Sequence, residues 1–336
     1  MLLNEDIMKH IKTVSVAIAA YHGENFIAEQ LRSLFHQTRT IDEIIISDDS
    51  EDNRTEQVVR QEAENWNGIL KYIKNPQGKG IEANFRNAVK ATSGDIIFLC
   101  DQDDVWLPEK VKTLADELET HPECQVVACN SEMVSDTLKP LGKTSPANLK
   151  TAQAVIDAIN QKNAFPYISE QKLLIPGHAM AMTRKFVPFF LSMPAKMKYH
   201  DVWLEQTAAL FETMRYVNKT LTLYRIHEAN ASTPLKDYGN SRIFLRLKEI
   251  FQKHDDIEET FFLFKSLKAC IKTQCNYVVP ERNIKHLNSI LRYFQNRLHL
   301  RSFPRPFRFL ALTPALLRDY FQLGTGWRAL LRDQLF

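Results

Sequence analysis

The stretch Asp101-Gln102-Asp103-Asp104 places three carboxylates in four positions. It follows directly on Ile96-Ile97-Phe98-Leu99-Cys100, an apolar run that reads as a buried strand. Carboxylates this close repel one another unless a cation lies between them. Hard divalent ions such as Mg²⁺ or Mn²⁺ take oxygen ligands and commonly bridge one or two carboxylates to substrate phosphates. Alternate acids on one turn, Asp101 and Asp103, can reach the same ion. A solvated acidic turn is the plainer reading, because a D-x-D triplet alone is common.

A second apolar run, Glu43 to Ser47, also ends in acids: Asp48-Asp49-Ser50, with Asp52 and Thr55 beyond. A carboxylate at the carboxyl end of a strand can accept from a base N–H or a ribose hydroxyl. Asp52 or Asn53 fits as the cap of a helix from Arg54, and the two roles are compatible.

These acids need elements to position them. Val14 to Ala20 reads as a buried strand. Phe26, Ile27, Leu31, Leu34 and Phe35 recur at helical spacing within Glu24 to His36. Helices are expected over 54–65, 81–92 and from Pro108 to about Thr120, where proline suits a first turn. Strands are expected over 70–73, 95–100 and 125–130, with a loop at Asn75–Gly80. Strand and helix alternate five times, which predicts an α/β fold built on a doubly wound, mostly parallel sheet. Ligands of such sheets bind outside the carboxyl ends of the strands, where both acidic clusters lie. Residues 131–172 read as loop plus one helix near 152–161. Leu173 to Thr183 is strand-like around Pro176-Gly177. A helix over 201–211 and a strand over 215–226 follow, and from about Asn240 the pattern is helical.

The 336 residues include 43 Lys+Arg and 40 Asp+Glu, a net charge of +3 that points to no polyanionic partner such as nucleic acid. The five cysteines are scattered without C-x-x-C pairs, which argues against a disulfide framework or a zinc site. Buried thiols at Cys100 and Cys129 fit a reducing, cytoplasmic setting. The first 13 residues lack the apolar core of a secretory signal. Phe307 to Leu317 is too short to span a membrane and contains Arg308 and Pro314.

Taken in order, "VSVAIAAYHGENFIAEQLRSLFHQT", "DEIIISDDSEDNRT", "NPQGKG" and "SGDIIFLCDQDDVWLPEKV" resemble the family 2 glycosyltransferases, which have the GT-A fold. The D-Q-D-D-V-W form resembles the bacterial, rhamnosyltransferase-like branch of surface polysaccharide assembly. The resemblance is dense over residues 12–130 and extends weakly to about 232. It implies a nucleotide-diphosphate sugar donor, a dTDP- or UDP-sugar, and a saccharide or lipid-linked saccharide acceptor. It implies a nucleotide contact at Ala20 and Tyr21, a base-binding acid at Asp48, and Gln102 within the donor site. Asp101 and Asp103 match the family D-x-D, with Asp103 as the main metal ligand. His22 stands where Asn is more usual and Ala19 where Pro is common. Asn84-Phe85-Arg86-Asn87 shifts the register of a familiar Arg-Asn pair.

The same resemblance makes Asp201 the catalytic base, taking the proton of an acceptor hydroxyl; a helix cap is the other reading. It makes His227 a third metal ligand or a diphosphate contact, and sets Gly177-His178 beside the acceptor. Residues 1–235 would form the catalytic domain and 236–336 a mainly helical region. The tail "RSFPRPFRFLALTPALLRDYF" interleaves Arg with Phe and Leu. A peripheral contact with the inner face of the cytoplasmic membrane and a helical packing unit both remain open for it. Two other functions share the strand-end acids. A nucleotidyltransferase acting on a sugar phosphate should carry a Gly-rich basic loop after the first strand, and "AAYHGENF" is a poor version. A non-catalytic scaffold should lack acids at Asp103 or Asp201.

Overall fold

The computed structural model describes residues 12–75, 80–145, 149–171, 175–197, 199–228, 230, 257–273, 277–323 and 326–335. They divide into two compact units. The first holds the described residues of Met1–Ala147, Ile175–Leu191 and Arg215–Arg225, the second those of Asn148–Leu174, Ser192–Met214 and Ile226–Phe336. The expected boundary at 235 and the expected helix from 240 to 256 fall outside the described residues, as do positions 76–79 of the expected loop.

The first unit is built on β1 (Val14–Ala20), α1 (Ile27–Phe35), β2 (Glu43–Asp48), α2 (Arg54–Ala63), β3 (Ile69–Lys74), α3 (Ile81–Ala91) and β4 (Ile96–Asp101). All of β2 and all but Ala19 of β1 are buried. That is why these strands read as unbroken apolar runs rather than alternating ones. Strands β3-β2-β1-β4 pair in parallel. Their registers align Lys74, Asp48 and Ala20 in one row, with Asp101 beside Ala19. Both acidic strand ends therefore share one edge. α3 packs on β1 and β2, burying Phe85, Ala88 and Val89.

Beyond β4 the sheet turns antiparallel. β5 (Val105–Trp106), α4 (Lys110–Thr120), β6 (Val126–Val134), β7 (Pro140–Ser145), β8 (Met180–Thr183) and β9 (Met214–Arg225) complete nine strands in the order β3-β2-β1-β4-β8-β6-β9-β5, with β7 on β6. The α/β class holds, and β6 points the same way as β1–β4, but it does not pair with them: β8 lies between β4 and β6 and runs antiparallel to both. The interposed strand is Met180–Thr183, whose local sequence gives no direction. The polar stretch after 130 also differs from the expected loop, because β6 continues to Val134 and folds back as β7.

The second unit is helical. It contains α5 (Leu149–Asn160), α6 (Phe165–Gln171) and α8 (His200–Leu210), α7 (Val187–Leu191) being a short helix of the first unit. α9 (Ile257–Thr273) packs on α10 (Glu281–Ser302), followed by α11 (Pro314–Gln322) and α12 (Trp327–Leu335). Tyr293, Leu300, Leu316, Tyr320 and Ala329 form one buried cluster. Beside it Asp333, fully buried, accepts from Arg297 Nε at 2.6 Å, Arg301 Nε at 2.8 Å and the Tyr320 hydroxyl. Among the described residues no helix is long and apolar enough to cross a membrane.

Candidate active site

The strand-end loop of β4 is held from two sides by strand register. β4 pairs β8 with Phe98 opposite Ala181. Carried three residues further, that register sets His178 opposite Asp101. The 3₁₀ turn Gly177–Ala179 ends the ladder there and turns the imidazole inward. β5 pairs β9 with Val105 opposite Leu223, and that register carried two residues further sets Arg225 opposite Asp103. Arg225 accordingly stitches the loop. Its N–H donates to Asp104 Oδ1 at 3.0 Å, its Nε donates to the Asp103 carbonyl at 2.7 Å, and its guanidinium pairs with Glu29.

These contacts bring Asp101, Asp104 and His178 together. His178 Nδ1 lies 3.3 Å from Asp101 Oδ2 and 3.2 Å from Asp104 Oδ2. Its Nε2 lies 2.9 Å from Ser131 Oγ. His178 and Asp104 are buried, and the Asp101 side chain is 29% exposed. Asp104 Oδ2 is buried and accepts no well-aligned hydrogen bond. Two carboxylates and an imidazole nitrogen, all within 4.8 Å of one another, with one acceptor left over, are a donor set that fits a divalent cation. Beneath them the buried Lys110 donates to the His178 carbonyl at 2.6 Å and to Thr222 Oγ1 at 2.8 Å, with its Nζ over the Trp106 ring.

Burial pushes the Asp104 carboxyl up to about 7. Burial works against a charged His178, yet Asp104 and Asp101 raise it above the ordinary imidazole value. Both groups thus hold protons more tightly when folded, so stability from this pair falls as pH rises. The window opens near the ordinary aspartate value of about 4 and runs through the raised values of both groups. With chelator present, the melting-temperature advantage of the native chain over Asp104→Asn is expected to shrink between about pH 5 and pH 8. An advantage that grows over that range would contradict the assignment. A divalent ion should act oppositely, stabilising more as pH rises, because its ligands must be deprotonated.

The other expected donor-site residues of the first unit line the same edge. Gln102 clamps the end of β1: Tyr21 N donates to its Oε1, and its Nε2 donates to the Tyr21 carbonyl, both at 2.9 Å. A Cβ on Gly23 would stand 2.1 Å from that Oε1, so a side chain there would push Gln102 out of this clamp. The Tyr21 side chain is left exposed. The Ala20 carbonyl accepts from Asp49 N and Asn84 Nδ2. Asp48 is buried and fully engaged. Oδ1 accepts from the Ser50 N–H and hydroxyl, Oδ2 from the Tyr72 hydroxyl and Lys74 Nζ. Burial raises its pKa, but these bonds outweigh burial and leave it lowered. Asp49 bridges Asn75 and Gly80, accepting from Asn75 Nδ2 and Gly80 N.

Of the expected metal residues, Asp101 belongs to the three-residue cluster; Asp103 and His227 do not. Asp201 and His227 lie in the second unit. Asp201 is the second residue of α8, half-buried, and accepts from the Val202 N–H; Tyr199 holds the cap position. The His227 N–H donates to Asn230 Oδ1. Asp104, His178 and Arg225 are the residues that sequence reasoning did not assign to the candidate metal cluster or its strand-end loop. The signal for them lay in pairing register, which a single sequence does not carry.

With the edge described, its kinship can be stated. Residues 15–187 match the family model "Glycosyl transferase family 2", and the chain belongs to that family. The uncharacterized protein Mb1547 of Mycobacterium bovis is 24% identical over 64% of this chain and 59% of its own length, so the chain spans under two thirds of that relative. The dTDP-rhamnosyl transferase RfbG of Shigella flexneri is 26% identical over 63% of this chain and 72% of its own. The crystal structure of S. aureus TarS 1-349 in complex with UDP-GlcNAc superposes with a TM-score of 0.57 at 19% identity, covering 91% of this chain and 79% of that one. That likeness shows a shared fold, the GT-A fold the sequence led us to expect.

Proposed function

We propose that this chain is a metal-dependent, inverting glycosyltransferase. It moves a sugar from a nucleotide-diphosphate donor, a dTDP- or UDP-sugar, to a hydroxyl of a saccharide or lipid-linked saccharide. The setting is bacterial surface polysaccharide assembly at the inner face of the cytoplasmic membrane. The observation that carries the reading is the alignment of Asp48, Tyr21 and the Asp101 cluster along one carboxyl-end edge of the sheet. Membership of glycosyltransferase family 2 supports it.

The exposed ring of Tyr21 faces the nucleotide. A base N–H reaches Asp48 by displacing the ammonium of Lys74, whose side chain is 37% exposed. Asp101 would hold Mg²⁺ or Mn²⁺, which would supply charge neutralisation for the departing diphosphate. Two ligand sets share Asp101: Asp104 with His178, which the geometry supports, and Asp103 with His227, which the resemblance implies. The nitrogen in either set favours Mn²⁺ over Mg²⁺, which demands oxygen. Asp201 takes the acceptor proton as the acceptor oxygen bonds to the anomeric carbon. The bond from that carbon to the diphosphate breaks in the same displacement, so configuration inverts.

The test is donor turnover across a panel of nucleotide-sugars, with Mn²⁺ or Mg²⁺ and then with chelator. Metal-dependent release of nucleoside diphosphate from one donor is expected. Release of pyrophosphate from a nucleoside triphosphate would move the assignment to nucleotidyl transfer. No turnover or binding of any nucleotide-sugar by folded protein would leave a scaffold.

A further inference from the structure

The second unit carries a surface that sugar transfer does not use. α10 is followed by a 3₁₀ turn, Arg305–Ala311, and then by α11. The inner side of this segment is core, with Leu316 and Tyr320 against Tyr293 and Leu300. The outer side is apolar as well: Phe307 is 53% exposed, Phe309 59%, Leu310 68% and Phe321 63%. Arg308, between two of these rings, is turned inward and donates to the Asp333 carbonyl. A surface facing only water would keep the charge outside and the rings inside.

The charges beside the rings have one sign. Beyond Glu281 the sequence holds two acids, Asp319 and Asp333, and both are buried. Arg305 and Arg318 are exposed on the same segment. From these observations we infer that the face of Arg305–Ala311 and α11 docks on an anionic lipid surface, rings among the acyl boundary and guanidinium groups on headgroup phosphates. A second copy of the chain is a poorer occupant. A twofold contact would set this cationic patch against itself. The inference adds a docking face to the proposed membrane setting and rests on that reading for its purpose only, since lipid binding is measured with no donor present.

The experiment is cosedimentation of the full chain with vesicles of phosphatidylcholine alone and of phosphatidylcholine plus phosphatidylglycerol, at low and high salt. Binding to the anionic vesicles, weakened by salt, is expected. Arg305→Gln with Arg318→Gln should weaken it by about fivefold per residue. Phe307→Ser with Phe309→Ser should weaken it by about tenfold or more. Those rings are exposed, so an unchanged circular dichroism melt is expected to exclude misfolding. Both variants should keep wild-type donor turnover in solution, which separates a failure of docking from a failure of the transferase reading. Equal binding to both vesicle types would overturn the proposal, as would no binding to either or binding that both variants leave unchanged. A dimer seen by sedimentation and lost in the Phe variant would assign the face to a second copy.

Discussion

Asp201→Asn is expected to lower sugar transfer by about a thousandfold while donor binding stays at the wild-type level. Removing a positioned proton acceptor typically costs 10²–10⁴-fold in rate. The amide is isosteric and can still accept from the Val202 N–H, as Asp201 Oδ1 does at 2.8 Å. It cannot take a proton. The residue is half-buried in the first turn of α8 and does not hold the helix cap, so the melt should move little. Turnover is read by coupled nucleotide release and donor affinity by calorimetry. Full activity would remove the base assignment. Loss of donor affinity would place Asp201 in the donor site instead.

Asp101→Asn should be as damaging by a different route. This carboxylate is common to both proposed ligand sets, and a cation at the diphosphate is worth several kcal/mol of charge stabilisation. That corresponds to about a thousandfold or more in rate. Here metal-dependent donor affinity should fall together with turnover. The metal-free fold should change little, because relief of the repulsion between Asp101 and the buried Asp104 offsets the loss of the Asp101 charge beside His178. A variant that keeps wild-type turnover with metal present would take Asp101 out of the mechanism.

Much of this was legible because the first half of the chain is locally consistent. The runs at Val14–Ala20, Glu43–Asp48 and Ile96–Asp101 are buried except at Ala19 and Asp101, and α1 shows its buried stripe at Ile27, Leu31 and Leu34. Acids at the ends of parallel strands announced the ligand edge. The antiparallel half was harder to read. Met180–Thr183 is a four-residue strand, and nothing in it says that it separates β4 from β6. Once it does, His178 comes opposite Asp101, and the buried partner of the acidic loop is a histidine 77 residues away. Arg225 was missed for the same reason: flanking His227 in sequence, it serves Asp103 and Asp104 through the β5–β9 register. Asp48 illustrates the reverse. Its position marked it for a ligand, whereas the structure gives its oxygens four protein donors, a satisfaction that sequence cannot display.

The most direct measurement is a calorimetric titration of Mn²⁺ into the protein with a nucleoside diphosphate present. It should be repeated for Asp101→Asn, Asp103→Asn and His178→Asn. Saturable binding in the native chain, lost in Asp101→Asn, is the predicted result, and whichever of the other two variants also loses it identifies the remaining ligands. Mn²⁺ binding of equal affinity in the native chain and in Asp101→Asn, or no binding to the folded native chain, would contradict the central claim that the β4 strand-end carboxylates hold the cation for the donor diphosphate.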